Sequence, residues 1–227
     1  MIAVIPARGG SKGVYKKNIK MLNCKPLIAY TIEEALKSKV FEKVIVSTDD
    51  EEIADVSKEY GAEIPFIRPA DISGDFVSSD EVIMHTINFF EKKGKEFEYV
   101  CKLQPTSPLR RSEHICEAYN MLRDKSADYV VSVCECEHSP LWAATLDSKH
   151  SLDAFITDDI ILSCRQKLQK YYRLNGAIYM AKTKMFKETK SFFGKNGYAY
   201  IMNQIDSVDI DSELDFKIAT TILQETY

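Results

Sequence analysis

Ala3–Asn18 reads AVIPARGGSKGVYKKN, an apolar run followed directly by a glycine-rich basic loop. Ile2, Ala3, Val4 and Ile5 have no polar member among them, as expected of a strand covered on both faces. Pro6 has no N–H to give to a ladder, so the strand ends there and the loop is presented at its carboxyl edge. Gly9, Gly10 and Gly13 allow several backbone N–H groups to point into one concavity, and Arg8, Lys12, Lys16 and Lys17 surround it with charge. Such a loop holds phosphates. It is not the G-x-x-x-x-G-K-[ST] loop, because Gly13 is followed by Val14 and Tyr15, and G-x-G-x-x-G is absent as well.

Downstream, helical and extended patterns alternate. A helix is predicted from Pro26 to Lys39, a strand at Lys43–Ser47, and a second helix from Thr48–Asp50 to Tyr60. A short strand follows at Ala62–Ile67, then a helix capped by Ser79 or Asp80 and running to Lys93, and a strand from Tyr99 to Leu103. Further on come a helix over Ser112–Lys125 and strands at Tyr129–Cys134, Ala177–Ala181 and Tyr198–Met202. A terminal helix follows, with Leu214, Ile218 and Ile222 recurring every fourth residue. Such βα repetition predicts an α/β, Rossmann-like three-layer fold around a mostly parallel sheet, with ligands bound beyond the strands' carboxyl ends. The 227 residues fit one domain, and the stretch from about 135 to 197, rich in His, Trp, Tyr and Phe, reads as a small inserted subdomain.

The net charge of −4 speaks against a general nucleic-acid or membrane surface, so the basic residues matter by position. No apolar run approaches the roughly 20 residues of a membrane span, and the N-terminus enters a strand without a leader, so a cytoplasmic protein is expected. The six cysteines show no secreted-framework spacing. Cys134-x-Cys136-x-His138 lacks the second ligand pair that a zinc site of this spacing requires.

Two strand ends carry chemistry. After Leu103 the chain reads Gln104-Pro105-Thr106-Ser107-Pro108-Leu109-Arg110, a loop stiffened by prolines that offers Gln104, Thr106 and Ser107 as hydrogen-bonding groups to a polyhydroxylated ligand. In Ser207-Val208-Asp209-Ile210-Asp211 apolar and acidic side chains alternate, so an extended backbone puts Asp209 and Asp211 on one face about 7 Å apart. Two carboxylates leave most of an octahedron to water and phosphates, as Mg²⁺ prefers. A helix cap at Asp211 or Ser212 is the competing reading, and it leaves Asp209 unexplained.

Pro6-Ala7-Arg8, Ser11-Lys12-Gly13 and Lys17-Asn18, together with L-Q-P-T-S-P-L-R, resemble the signatures of the acylneuraminate (CMP-nonulosonate) cytidylyltransferase family. The resemblance implies a nucleotide site of Ala7, Arg8, Gly10, Ser11, Lys12, Lys17, Asn18, Arg68 and Ser79, with Arg68 beside the cytosine. It implies a sugar site of Gln104, Thr106, Ser107, Arg165, Asn175, Tyr179, Phe192 and Phe193, and Mg²⁺ on Asp209 and Asp211. The 135–197 insertion would carry a homodimer interface through which each subunit completes its partner's sugar site.

The implied reaction joins CTP to a nonulosonic acid such as N-acylneuraminate, with Arg8, Lys17 and Asp211 as catalytic groups. None of the four histidines is needed as a base. In His138-Ser139-Pro140-Leu141-Trp142 the segment ends in Trp where acetylneuraminate-preferring relatives carry Lys, which points to a 5,7-diacylamino sugar such as legionaminic acid as an alternative. KDO activation and a non-catalytic nucleotide or sugar sensor are further alternatives. The D-x-D pair disfavours the sensor.

Overall fold

The computed structural model describes residues 1–10, 13–152 and 169–226. The chain opens with β1 (Ile2–Pro6), a two-residue hairpin of β2 (Met21–Leu22) and β3 (Lys25–Pro26), and α1 (Leu27–Ser38). Next come β4 (Lys43–Ser47), α2 (Glu51–Glu59), α3 (Ser79–Glu91), β5 (Tyr99–Lys102), α4 (Ser112–Asp124) and β6 (Tyr129–Glu135). Then follow β7 (Tyr172–Lys182), α5 (Thr183–Thr189), β8 (Gly197–Met202) and α6 (Glu213–Thr226). Six strands form one sheet in the order β4-β1-β5-β7-β6-β8. β7 is antiparallel to both its neighbours, and the other five strands share one direction.

Alternation along β1 shows why the sheet is buried on both sides. Ala3 and Ile5 join Val44, Val46 and Cys101 under Ile28 and Ile32 of α1 and Ile115 of α4. Ile2 and Val4 face Ile83, Ile87 and Phe90 of α3 and Phe186 of α5. Helices therefore cover both faces of the sheet, a three-layer α/β arrangement. Each such fully buried aliphatic side chain contributes about 1.5–3 kcal/mol. Within the 135–197 stretch, β7 belongs to the main sheet and α5 packs on it.

Three local expectations change. Ala62–Ile67 makes a single bridge, Glu63 to Ile45, because Pro65 has no N–H with which to extend the pairing along β4. Ser78 caps α3, in a capping box with Glu81, which leaves the Ser79 hydroxyl to other partners. The terminal helix buries Phe216, Ala219 and Leu223, and its Leu214 and Ile218 face solvent. A four-residue spacing overruns the 3.6-residue turn, whereas the spacing of 216, 219 and 223 keeps to one stripe.

At the carboxyl edge the neighbours β4, β1 and β5 end side by side, with Pro6 opposite Ser47 and Val4 opposite Lys102. Ala7 N donates to Ser47 O at 3.0 Å and Leu103 N donates to Val4 O at 3.1 Å. The loops that follow all three strands thus meet in one place.

Candidate active site

A cleft of about 450 Å³ lies over these strand ends. Arg8, Lys17 and Asn18 enter it from the loop after β1, Arg68 from the segment after β4, and Ser79 from the start of α3. Gln104 and Thr106 form the wall after β5, and Asp211 reaches in from the segment before α6. Eight residues expected from sequence thereby line one concavity. Ser11, Lys12 and Arg165 lie outside the described residues.

The basic loop is held by specific ties. Asn18, buried, donates its amide to Arg8 O at 3.0 Å, and Gly9 N donates to Asp49 Oδ1 at 3.0 Å. Gly13 has no room for a side chain, since a Cβ there would fall 2.2 Å from Asp211 O. Ala7 is buried at the end of β1, while Gly10 is exposed. Lys17 Nζ donates to Ile210 O at 2.7 Å and Asp211 Oδ1 at 3.1 Å, fastening the basic loop to the acidic segment 193 residues later. The Arg8 guanidinium donates to Asp75 Oδ1 at 2.6 Å.

Arg68 is the most deeply buried of the cations lining the cleft. Only 6% of it is exposed, its Nε and Nη2 have no hydrogen-bond partner, and Asp49 Oδ1 stands 3.5 Å from Nη2. Burial pushes its guanidinium below the ordinary value, Asp49 pulls it back up, and the Arg8 charge pushes it down again. A buried donor set of this kind is costly until an acceptor meets it. His85 behind it is held below the usual histidine range by burial, and among the described residues no histidine lines the cleft.

The loop after β5 is pinned from beneath. Arg110 is fully buried, donates to Gln104 O at 3.2 Å and Ala177 O at 2.9 Å, and is pushed down to about 10 by burial. Ile210 N donates to Thr106 O at 2.8 Å, which joins this loop to the acidic segment.

The two aspartates differ sharply. The Asp211 side chain is 80% exposed. Asp209 turns inward, its Oδ1 buried with no hydrogen-bond partner. Burial pushes its carboxyl up, a Thr106 hydrogen bond pulls it down, and the nearby Asp211 charge pushes it up again. An orphaned buried carboxylate oxygen beside a second carboxylate fits a divalent cation. Among the described residues no group of three or more His, Cys, Asp or Glu is arranged to hold a metal ion, so a cation here would complete its shell with water and ligand oxygens.

The remaining described residues expected at the sugar do not line this cleft. Ser107, Asn175, Tyr179 and Phe192 are buried. Tyr179 packs on Phe192 at 5.9 Å and Phe193 at 6.4 Å, with Phe193 itself exposed.

Lys102 was missed by the sequence reading. Its buried ammonium donates to Ser79 Oγ at 2.9 Å and Asp80 Oδ1 at 2.6 Å and sits 4.3 Å from the Tyr179 ring centroid. A lysine closing an otherwise apolar strand was the signal, since a buried cation must be paired. Asp49 and Asp75 were also missed. Asp49 follows β4 beside the helix cap Asp50, which masks its reach to Gly9, and nothing in the 70–77 loop marks Asp75.

A family model described as Cytidylyltransferase matches residues 2–214. The chain is 41% identical over 226 residues to N-acylneuraminate cytidylyltransferase of Escherichia coli, covering 99% of this chain and 52% of that protein. It is thus about half as long as that relative. It is 36% identical over 226 residues to CMP-N,N'-diacetyllegionaminic acid synthase of Legionella pneumophila, covering 99% of this chain and 96% of that one. A solved structure of CMP:2-keto-3-deoxy-manno-octonic acid synthetase, complexed with CTP, matches with a TM-score of 0.73 at 15% identity, covering 100% of this chain and 99% of that one. At that identity the likeness speaks for the fold. By its sequence matches across nearly all its length, the chain belongs to the cytidylyltransferase family.

Proposed function

We propose that this protein transfers the cytidylyl group of CTP to the anomeric hydroxyl of a nonulosonic acid, with N-acylneuraminate as the first candidate, and releases diphosphate. The observation that carries this reading is the convergence of three cations, Arg8, Lys17 and Arg68, opposite the polar wall of Gln104 and Thr106 in one cleft. In the reaction the sugar oxygen bonds to the α-phosphorus, the bond from that phosphorus to the β-phosphate oxygen breaks, and the hydroxyl proton is lost. Phosphoryl-type transfer asks the protein mainly to align the reactants and neutralise charge. Arg8 and Lys17 would take the triphosphate and the departing diphosphate, with backbone N–H groups of the 7–18 loop. Arg68 and Asn18 would face the cytosine. Asp211, exposed beside Lys17, is the candidate acceptor for the hydroxyl proton.

Asp209 and Asp211 would hold Mg²⁺, which when bound withdraws charge from the α-phosphate. The working unit in this reading is a cytoplasmic homodimer. Leu174 and Ile201, exposed on β7 and on the edge strand β8, supply apolar surface for it. No helix among the described residues is long and apolar enough to cross a membrane.

A second reading, activation of a 5,7-diacylamino sugar such as N,N'-diacetyllegionaminic acid, is favoured by Trp142 and by the end-to-end match with the Legionella relative. Diphosphate release from CTP, followed with N-acetylneuraminate, N,N'-diacetyllegionaminate and KDO, with and without Mg²⁺, separates these readings. Mg²⁺-dependent release with a nine-carbon acid is expected. Release with KDO alone would overturn the substrate class, and no release with any acid would favour a sensor.

A further inference from the structure

β6 and β7 lose register where the site is built. Val131 pairs with Tyr179 and Val133 with Leu174, so two steps along β6 match five along β7. The surplus on β7 includes Asn175 and Gly176, and the single β6 residue between the paired positions is Ser132.

Asn175 is 1% exposed, and its amide is committed within the protein. Oδ1 accepts from Ser132 Oγ at 2.6 Å and from Ala177 N at 3.2 Å. Nδ2 donates to Ser207 Oγ at 2.9 Å, and Met202 Sδ stands 3.3 Å from the same nitrogen. A primary amide offers two acceptor lone pairs and two donor hydrogens, so nothing remains for a substrate. The bonds lead toward the acidic segment. Ser207 Oγ passes its own hydrogen to Asn203 O at 2.7 Å, which fixes the turn two residues before Asp209. On the far flank Ile210 N is held by Thr106 O at 2.8 Å. Asp209, whose Oδ1 is the orphaned oxygen, therefore sits between two anchored points.

We propose that Asn175 is a positioning residue that works through Ser207 to aim Asp209, and with it Asp211, at a divalent cation, and that it makes no contact with the acceptor sugar. The proposal rests on the Mg²⁺ reading above. It replaces the sugar-contact role that resemblance implies for Asn175 with a role in orienting carboxylates. Groups that orient metal ligands change metal affinity by about 10–100-fold when removed.

The test uses Mn²⁺ as the probe, titrated into the protein and followed by the electron paramagnetic resonance of the free ion. Asn175→Ala and Ser207→Ala are each expected to weaken Mn²⁺ binding by about 10–100-fold. The double variant should be no weaker than the worse single one, because both remove the same link. The acceptor KM at saturating Mg²⁺ should stay within about twofold of the parent.

Unchanged Mn²⁺ affinity in Asn175→Ala, with an acceptor KM raised tenfold or more, would overturn the proposal in favour of direct sugar contact. Asp209→Asn separates the two levels. If it binds Mn²⁺ as tightly as the parent, the metal reading falls. If it loses Mn²⁺ while Ser207→Ala and Asn175→Ala retain it, only the positioning role falls. Should Asn175→Ala fail to fold, Ser207→Ala decides the matter, since it leaves the bonds to Ser132 and Ala177 in place.

Discussion

The basic loop after β1 and the bulge on β7 serve the same cleft by opposite means. Arg8 is about one-third exposed and its guanidinium donates to the Asp75 carboxylate at the surface, whereas Asn175 is buried with its amide fully engaged. A charge paired at the surface can exchange its partner for a ligand at small cost. A buried, saturated network cannot reorganise locally, and its value lies in holding other groups still. Substitutions in the loop should therefore cost activity more than stability, and substitutions in the bulge should cost both.

The largest effect is expected from Lys17→Met, which keeps the apolar stem and removes the charge. If Lys17 stabilises the departing diphosphate, kcat/KM should fall about 10²–10³-fold, the range for losing one preorganised donor to developing charge. Stability should fall by only about 1–2 kcal/mol, for the charge-assisted bond to Ile210 O. Steady-state kinetics beside urea unfolding checks both. A stability loss as large as the loss on the barrier would break the distinction between loop and bulge.

Gly176→Ala tests the other side. Gly176 has φ +75°, and a Cβ there would stand 2.4 Å from Gln104 Oε1. Backbone strain in that region costs about 1–3 kcal/mol for a residue with a side chain, and Gln104 must also move. Urea unfolding should show a loss of that order, and the acceptor KM should rise with it if Gln104 meets the sugar. A stable variant with an altered KM would mean that the bulge yields locally and is less rigid than its bonding implies.

The contrast between the two regions also explains what the sequence revealed. The basic loop is legible because its strand, its glycines and its charges are contiguous, and the strand pattern of Ile2–Ile5 is buried on both faces. The Gln104–Arg110 loop was legible for the same reason. The bulge was not, since its shape depends on how β7 pairs with β6, and Asn175 meets partners 32 and 43 residues away. The difference between Asp209 and Asp211 was hidden likewise. Their alternation predicts two equivalent carboxylates, and only the packing against β7 and the Gln104 loop buries one and leaves the other in water. In α6 the periodicity was present, and the four-residue spacing ran from the solvent face at Leu214 and Ile218 to the core's edge at Ile222.

The smallest effect is expected from Asp75→Asn, which loosens the basic loop without touching the bulge. Asp75 Oδ1 accepts from Arg8 Nη1 at 2.6 Å, and both side chains are about one-third exposed. An exposed pair of this kind contributes about 0.2–1 kcal/mol, so losing it should change the unfolding free energy by no more than about 1 kcal/mol. If Arg8 leaves Asp75 to meet a phosphate, the tie is given up on binding, and removing it beforehand lowers the KM for CTP by about 1.5- to 5-fold. Loss of a negative charge from the cleft wall acts in the same direction. A KM that rises instead would show that Asp75 holds Arg8 in the orientation the nucleotide needs, and the loop would then share the bulge's logic of positioning by a fixed partner.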